Sequence, residues 1–244
     1  MDKTVADLAT AVAGIEDGMS VMIGGFGGAG SPIELVHALI DRHLATGHPR
    51  NLTVINNNAG NGHVGLAALI ETGMVAKLIC SFPRSADPVV FTERYLAGEI
   101  ELELVPQGTL AERIRAGGAG IPAFYTPTGF GTDLARGKAV AEFDGRSYVQ
   151  ERWLKADVAL VKAERADRHG NLTYRAAARN FNPLMCMAAT ETIVQASHVV
   201  EAGAIDPEQV VTPGIFVQKV VRVANPAQEE DLNRANASYP EVAA

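Results

Sequence analysis

A chain of 244 residues with 47% hydrophobic and 20% charged residues can bury a full core, which excludes a disordered chain and fits one α/β domain. A net charge of −7 argues against nucleic acid as the main partner. Cys80 and Cys186 lack partners at metal-binding spacing, the opening residues carry Asp2 and Asp7, and no apolar stretch approaches the length of a membrane span, so a reduced cytoplasmic setting is expected, with no metal, no leader and no membrane anchor.

The spacing of Val5, Leu8, Val12 and Ile15 predicts a helix over 4–15, and Gly18 turns the chain into a strand over 20–24. That strand empties into Gly24-Gly25-Phe26-Gly27-Gly28-Ala29-Gly30-Ser31-Pro32. Ser31 as cap, Pro32 at the first helical position and Glu34 three residues after Ser31 predict a capping box opening a helix over 32–45. A strand over 52–55 ends in the polar loop 56–62. A helix over 64–72, a strand over 76–81, a helix over 87–97, a strand over 101–105 and a helix from about 109 to 116 continue the βαβ rhythm of a mostly parallel sheet.

From 117 to 150 glycine and proline crowd a stretch without helical period. It is expected to be irregular apart from a hairpin near 142–149, and to serve function or an interface. A buried strand over 157–163, a turn at 167–171, a helix over 180–189 and strands over 193–200 and 215–223 follow, and the tail from 224 reads as loosely held. The expectation is a single domain over 1–244 of class α/β, an open, mostly parallel sheet flanked by helices.

Glycines between a strand and a helix bring backbone N–H groups close to a ligand. Gly25 to Gly30 match the G-x-G-x-x-G spacing, but the acidic residue that nucleotide binding needs about 20 positions on is missing, since Asp41 lies inside the helix. The loops 24–30, 56–62, 81–84 and 107–109 each follow a strand and face one crevice, where small-molecule chemistry is built. Yet G-x-S-x-G, H-E-x-x-H and C-x-x-C are all absent. A pocket-forming scaffold without a nucleophile points to a reactive residue elsewhere, on another chain.

From about residue 4 to about residue 223 the sequence closely resembles the A subunit of the 3-oxoacid CoA-transferases. The resemblance is carried by Gly24-Gly25-Phe26-Gly27 with Pro32, Asn56-Asn57-Asn58-Ala59-Gly60, Pro106-Gln107-Gly108-Thr109-Leu110-Ala111-Glu112-Arg113, Pro127-Thr128-Gly129, Gly170-Asn171-Leu172, Ala178-Arg179-Asn180-Phe181-Asn182 and Thr212-Pro213-Gly214. It implies the open α/β CoA-transferase fold, coenzyme A thioesters as substrates with no permanently bound cofactor, and a B subunit in a heterotetramer of two A and two B chains. The B subunit carries the nucleophilic glutamate in a Ser-Glu-Asn-Gly motif, and Glu-Asn-Gly is absent from all 244 positions here. The segment 117–150 is a candidate contact with that partner.

The resemblance also implies roles. Gln107 matches the residue whose amide contributes to the oxyanion hole, against the alternative of an amide that caps the following helix. Gly108 lets the turn place that amide and is expected to tolerate no side chain. Asn56 and Asn57 hold the acid or shape the loop, since asparagine favours turns as readily as it binds. Gly25, Phe26 and Gly27 approach the acyl or CoA portion, with Phe26 as pocket wall or core plug. Glu112 and Arg113 read as a helical ion pair, and His63 as a surface residue.

Cys80-Ser81-Phe82-Pro83-Arg84 resembles the members acting on 3-oxoadipate in aromatic breakdown, whereas Asn182-Pro183 resembles those acting on acetoacetate. Arg84 suits the second carboxylate of 3-oxoadipate, which a guanidinium grips bidentately; the alternative is a salt bridge to Asp87 or Glu93. A sugar-phosphate isomerase-like protein or a non-catalytic ligand-binding module on the same fold is the remote alternative.

Overall fold

The computed structural model describes residues 1–240. The first half runs α1 (Leu8–Val12), β1 (Ser20–Ile23), α2 (Ile33–Thr46), β2 (Leu52–Ile55), α3 (Gly65–Glu71), β3 (Val75–Cys80), α4 (Val89–Leu96), β4 (Glu101–Leu104) and α5 (Gln107–Ala119). There follow β5 (Ala123–Thr126), β6 (Val140–Phe143), β7 (Arg146–Arg152), β8 (Ala156–Asp167), β9 (Leu172–Thr173), α6 (Asn182–Ala188), β10 (Ala189–Val200), β11 (Lys219–Arg222) and α7 (Glu229–Arg234).

The large sheet has the order β11-β10-β8-β1-β2-β3-β4, every neighbouring pair parallel, with β9 antiparallel on β8. Parallel neighbours need crossovers, which α2, α3 and α4 supply between β1 and β4. The chain begins near the middle of the sheet at β1, moves outward to β4, and returns to β8 on the other side of β1. The order thus reverses at β1, and the crevice beyond the C-terminal strand ends there is where open α/β sheets take ligands. Both faces are covered. Val21 and Ile23 of β1 enter one apolar layer with Leu35, Leu39 and Leu69, while Met22 enters the other with Leu110, Ile114 and Met185.

Four expectations change. The helix expected over 4–15 keeps only Leu8–Val12, because Asp7 caps it by accepting from the Thr10 N–H at 2.7 Å and Thr4 bridges to Val220 in the sheet. The capping box does not form: Pro32 is the N-cap of α2 without a side-chain bond, and Ser31 and Glu34 turn to partners far along the chain. The stretch 117–150 keeps the expected hairpin near 142–149 and stays irregular over 127–139 apart from a 3-10 turn at Asp133–Ala135, but it is otherwise regular. It extends α5 to Ala119 and then makes an antiparallel sheet β5-β7-β6, turned between β6 and β7 at Asp144-Gly145, whose φ values of 51° and 73° suit a two-residue hairpin.

The tail from 224 is packed as far as residue 240: Glu229 is buried in α7 and Tyr239 stacks on His37. The last four residues of that expected tail lie outside the described residues.

Candidate active site

At the end of β1, Phe26 and Ala29 exchange both backbone hydrogen bonds (3.0 and 3.1 Å) around Gly27 and Gly28, whose φ values are 57° and 80°. Two successive left-handed residues make a tight turn that glycine adopts without strain. The segment after β9 clamps this loop. Asn180 Nδ2 donates to the Ala29 carbonyl at 2.8 Å, Asn182 Nδ2 donates to the Gly30 carbonyl at 3.2 Å, and Asn182 Oδ1 accepts from the Lys162 N–H at 3.2 Å. Asn182 lies so close that a Cβ on Gly24 would stand 1.9 Å from its Oδ1. Phe26 is a mouth residue, 42% exposed and stacked on Phe181 at 6.4 Å. The motif over 178–182 has no role legible in the sequence; in the fold it forms this clamp.

The asparagine loop is stapled to both neighbours. Buried Asn56 donates from Nδ2 to the Ile23 carbonyl of β1 at 2.7 Å and accepts at Oδ1 from the Asn58 N–H at 2.9 Å. Buried Asn57 faces β3: its Oδ1 and its carbonyl each accept from Ser81 Oγ at 2.9 Å, and the carbonyl accepts from the Phe82 N–H at 3.1 Å. The ends of β1, β2 and β3 are thereby locked side by side. Gly25, Ser31, Asn56 and Asn58 together wall a void of about 10 Å³ that Glu229 closes. A larger cavity of about 370 Å³ adjoins, between Gly27, Gly28, His63, Asp87 and α7.

Gln107 sits at the same edge, just after the outermost strand β4. It is the first residue of α5, exposed, and its amide has no hydrogen-bond partner among the described residues, so it does not cap the helix and is free to meet a ligand. Gly108 is exposed too, has no left-handed φ, and a Cβ there would meet nothing within 4 Å, so the structure does not require glycine at this position. Arg84 is exposed and forms no ion pair among the described residues; it faces a separate groove of about 560 Å³ lined by Pro88, Phe91, Tyr95, Leu96 and Leu102. The structure therefore brings Gly25 and Asn56 into one crevice, sets Asn57, Phe26 and Gly27 around it, and leaves Gln107, Gly108 and Arg84 farther along the edge.

Glu112 and Arg113 do not pair with each other. Glu112 binds Arg115 at 2.6 Å, and Arg113 reaches Glu103 at 2.8 Å. His63 lies half-exposed beside Glu71 at 3.0 Å. Burial pushes the thiols of Cys80 and Cys186 up to about 12, which leaves neither as a nucleophile near neutral pH. Among the described residues no cluster of metal-ligating side chains occurs, and no helix is long and apolar enough to cross a membrane.

The coenzyme A transferase family matches residues 5–223. The A subunit of the 3-oxoadipate CoA-transferase of Pseudomonas putida is 59% identical over 227 residues, 93% of this chain and 96% of that one. The A subunit of the succinyl-CoA:3-ketoacid coenzyme A transferase of Xanthomonas campestris is 52% identical over 225 residues, 92% and 90% of the two chains. An acyl-CoA transferase of Escherichia coli O157:H7 shares the fold at a TM-score of 0.80 with 22% identity; the match covers 93% of this chain and 48% of that one, so this chain spans about half its length. A crevice of stapled strand-end loops, in a chain that the family model matches over residues 5–223 and its relatives match over nearly the whole length, leads to one conclusion: the chain belongs to the coenzyme A transferase family.

Proposed function

We propose that this chain is the A subunit of a two-subunit enzyme that moves coenzyme A from succinyl-CoA to 3-oxoadipate. The observation that carries the reading is the 59% identity, over nearly the full length of both chains, to the A subunit of a 3-oxoadipate CoA-transferase. The catalytic glutamate is the B subunit's. Its carboxylate attacks the thioester carbonyl of succinyl-CoA and expels CoA thiolate, leaving a succinyl-glutamyl anhydride. The thiolate then attacks the glutamyl carbonyl, which releases succinate and leaves a glutamyl-CoA thioester. The carboxylate of 3-oxoadipate repeats the two attacks in reverse, so that 3-oxoadipyl-CoA departs and the glutamate is regenerated.

Each attack passes through a tetrahedral oxyanion. A neutral amide such as Gln107 stabilises that charge without surrendering a proton, and its exposure at the start of α5 leaves it available to a glutamate from a second chain. Arg84 grips the distal carboxylate of the acid. The partner chain docks in a cytoplasmic heterotetramer of two A and two B subunits, with the β5-β7-β6 sheet as a contact. Its short strands expose Tyr125, Val140 and Phe143 and bury little of their own, and so small a sheet gains stability from being covered.

Acetoacetate is the second reading, favoured by the 52% identity to a 3-ketoacid enzyme. The resemblance of Asn182-Pro183 to the acetoacetate members also favours it, although the Asn182 side chain is fully buried and bonded to the backbone of the glycine loop. The test is kcat/KM for both acids, with succinyl-CoA, in the assembled enzyme and in its Arg84→Ala variant. The proposal expects a preference for 3-oxoadipate that falls by about tenfold or more in the variant while acetoacetate use holds. A wild-type preference for acetoacetate overturns it.

A further inference from the structure

The residues after 223 lie beyond the family match, and they are strapped across the strand-end loops. At the near end the Ala227 peptide is gripped on both sides: its N–H donates to Glu34 Oε1 at 2.6 Å, and its carbonyl accepts from Lys162 Nζ at 3.1 Å. At the far end the Tyr239 ring stacks on His37 at 3.6 Å, its hydroxyl donates to Asp41 at 2.6 Å, and its N–H donates to the His63 carbonyl at 2.8 Å. Between these anchors α7 lowers Glu229 into the crevice. That side chain is 6% exposed and accepts from Ser31 Oγ at 3.0 Å, against the void walled by Gly25, Asn56 and Asn58.

No cation pairs with Glu229 among the described residues, and burial pushes its carboxyl above the usual range. A buried carboxyl group held by a single hydroxyl costs free energy and gains little, so its seat is easily given up to a better-matched ligand. The acids of this enzyme class are carboxylates, and the glycine and asparagine loops lie beyond the C-terminal strand ends, where open α/β sheets take ligands. We propose that the crevice between those loops, with the Ser31 hydroxyl as donor, is the subsite for the reacting carboxylate of the acid substrate, and that the Glu229 carboxyl of the strap occupies it until the acid enters. The adjoining 370 Å³ cavity is roofed by the same helix, so one displacement of the strap opens both. The inference rests on the transferase reading above but not on which acid is used.

When a site is partly occupied by its own chain, the apparent affinity for ligand falls by the fraction that is free. In the assembled enzyme, Glu229→Ala is expected to lower the KM for the acid by about threefold or more with kcat held. In that background Ser31→Ala is expected to raise it again by about as much. An acid KM that stays the same or rises in Glu229→Ala overturns the proposal. Should that variant fail to fold, amide exchange of residues 227–239 in the wild-type complex decides the matter. Saturating succinate is expected to speed their exchange, and unchanged or slower exchange overturns the proposal. Succinate is a product with either acceptor, so a preference for acetoacetate refutes the substrate assignment and leaves this test intact.

Discussion

Replacing Asn56 by alanine removes both bonds that tie the asparagine loop to β1 and to itself. The Ile23 carbonyl loses its Nδ2 donor at 2.7 Å, and the Asn58 N–H loses its Oδ1 acceptor at 2.9 Å. Asn56 is 5% exposed, so water does not simply replace the lost partners. A buried polar group left unsatisfied costs about 1–3 kcal/mol, and two such groups put the loss at about 2–6 kcal/mol. Asn57→Ala removes a single bond from Ser81, whose hydroxyl keeps the Asn57 carbonyl, so about 1 kcal/mol is expected there. Asn56→Asp should give no net rescue: it restores an acceptor for Asn58, but it offsets that by setting a carboxylate oxygen against the Ile23 carbonyl. Urea unfolding of the three variants measures the differences, with unchanged m-values securing the comparison. Equal stability of Asn56→Ala and wild type, or a larger loss in Asn57→Ala, would refute the assignment of Asn56 as the staple between β1 and β2.

Gln107→Ala in the assembled enzyme should lower kcat by about a hundredfold with little change in stability, since one oxyanion donor is worth about 3 kcal/mol and this exposed amide makes no bond among the described residues; a kcat within about threefold of wild type assigns it no part in the oxyanion hole. His37 carries a pH dependence. Burial holds its pKa down to about 4 from 6.5, against the pull of Glu34 and Asp41, and its Nε2 accepts from the Gly65 N–H at 3.0 Å. The unfolded chain therefore takes up the proton first, and the stability contributed by neutral His37 is complete above pH 6.5 and lost as the pH falls toward 4. The shift allows up to about 3 kcal/mol, which solvent screening of a partly buried ring reduces to about 1–2 kcal/mol. Unfolding free energy measured across that range should fall in wild type and fall less in His37→Gln; parallel profiles contradict the assignment.

The central sheet was legible because its strands are buried on both faces. The run Val158 to Val161 reads as apolar without a break, and it pairs in parallel with β1 and β10. The glycine and asparagine loops were legible for a related reason, since they follow such runs directly and fall at the strand ends. Ser31 and Glu34 misled because a capping box is a local signal, and their partners Glu229 and Gln195 stand 198 and 161 residues away. The hairpin near 142–149 was legible and is β6-β7, but the third strand of that sheet, β5, escaped notice because Pro122 and Pro127 bracket only four residues, too short to show alternation. The tail looked loose by composition, yet its order comes from the Ala227 peptide and from two side chains, Glu229 and Tyr239, whose seats exist only once α2 and the loops have folded. Asn182 is similar: nothing in its neighbourhood announces that its amide closes over Gly24 and Gly30.

The most direct measurement takes this chain and its B partner, separately and together, with succinyl-CoA, and weighs each polypeptide after quenching. The account predicts no transfer by this chain alone, full turnover by the pair, and a trapped acyl or CoA adduct on the B partner with the mass of this chain unchanged. Turnover by the purified chain alone, or an adduct on one of its own residues, would contradict it.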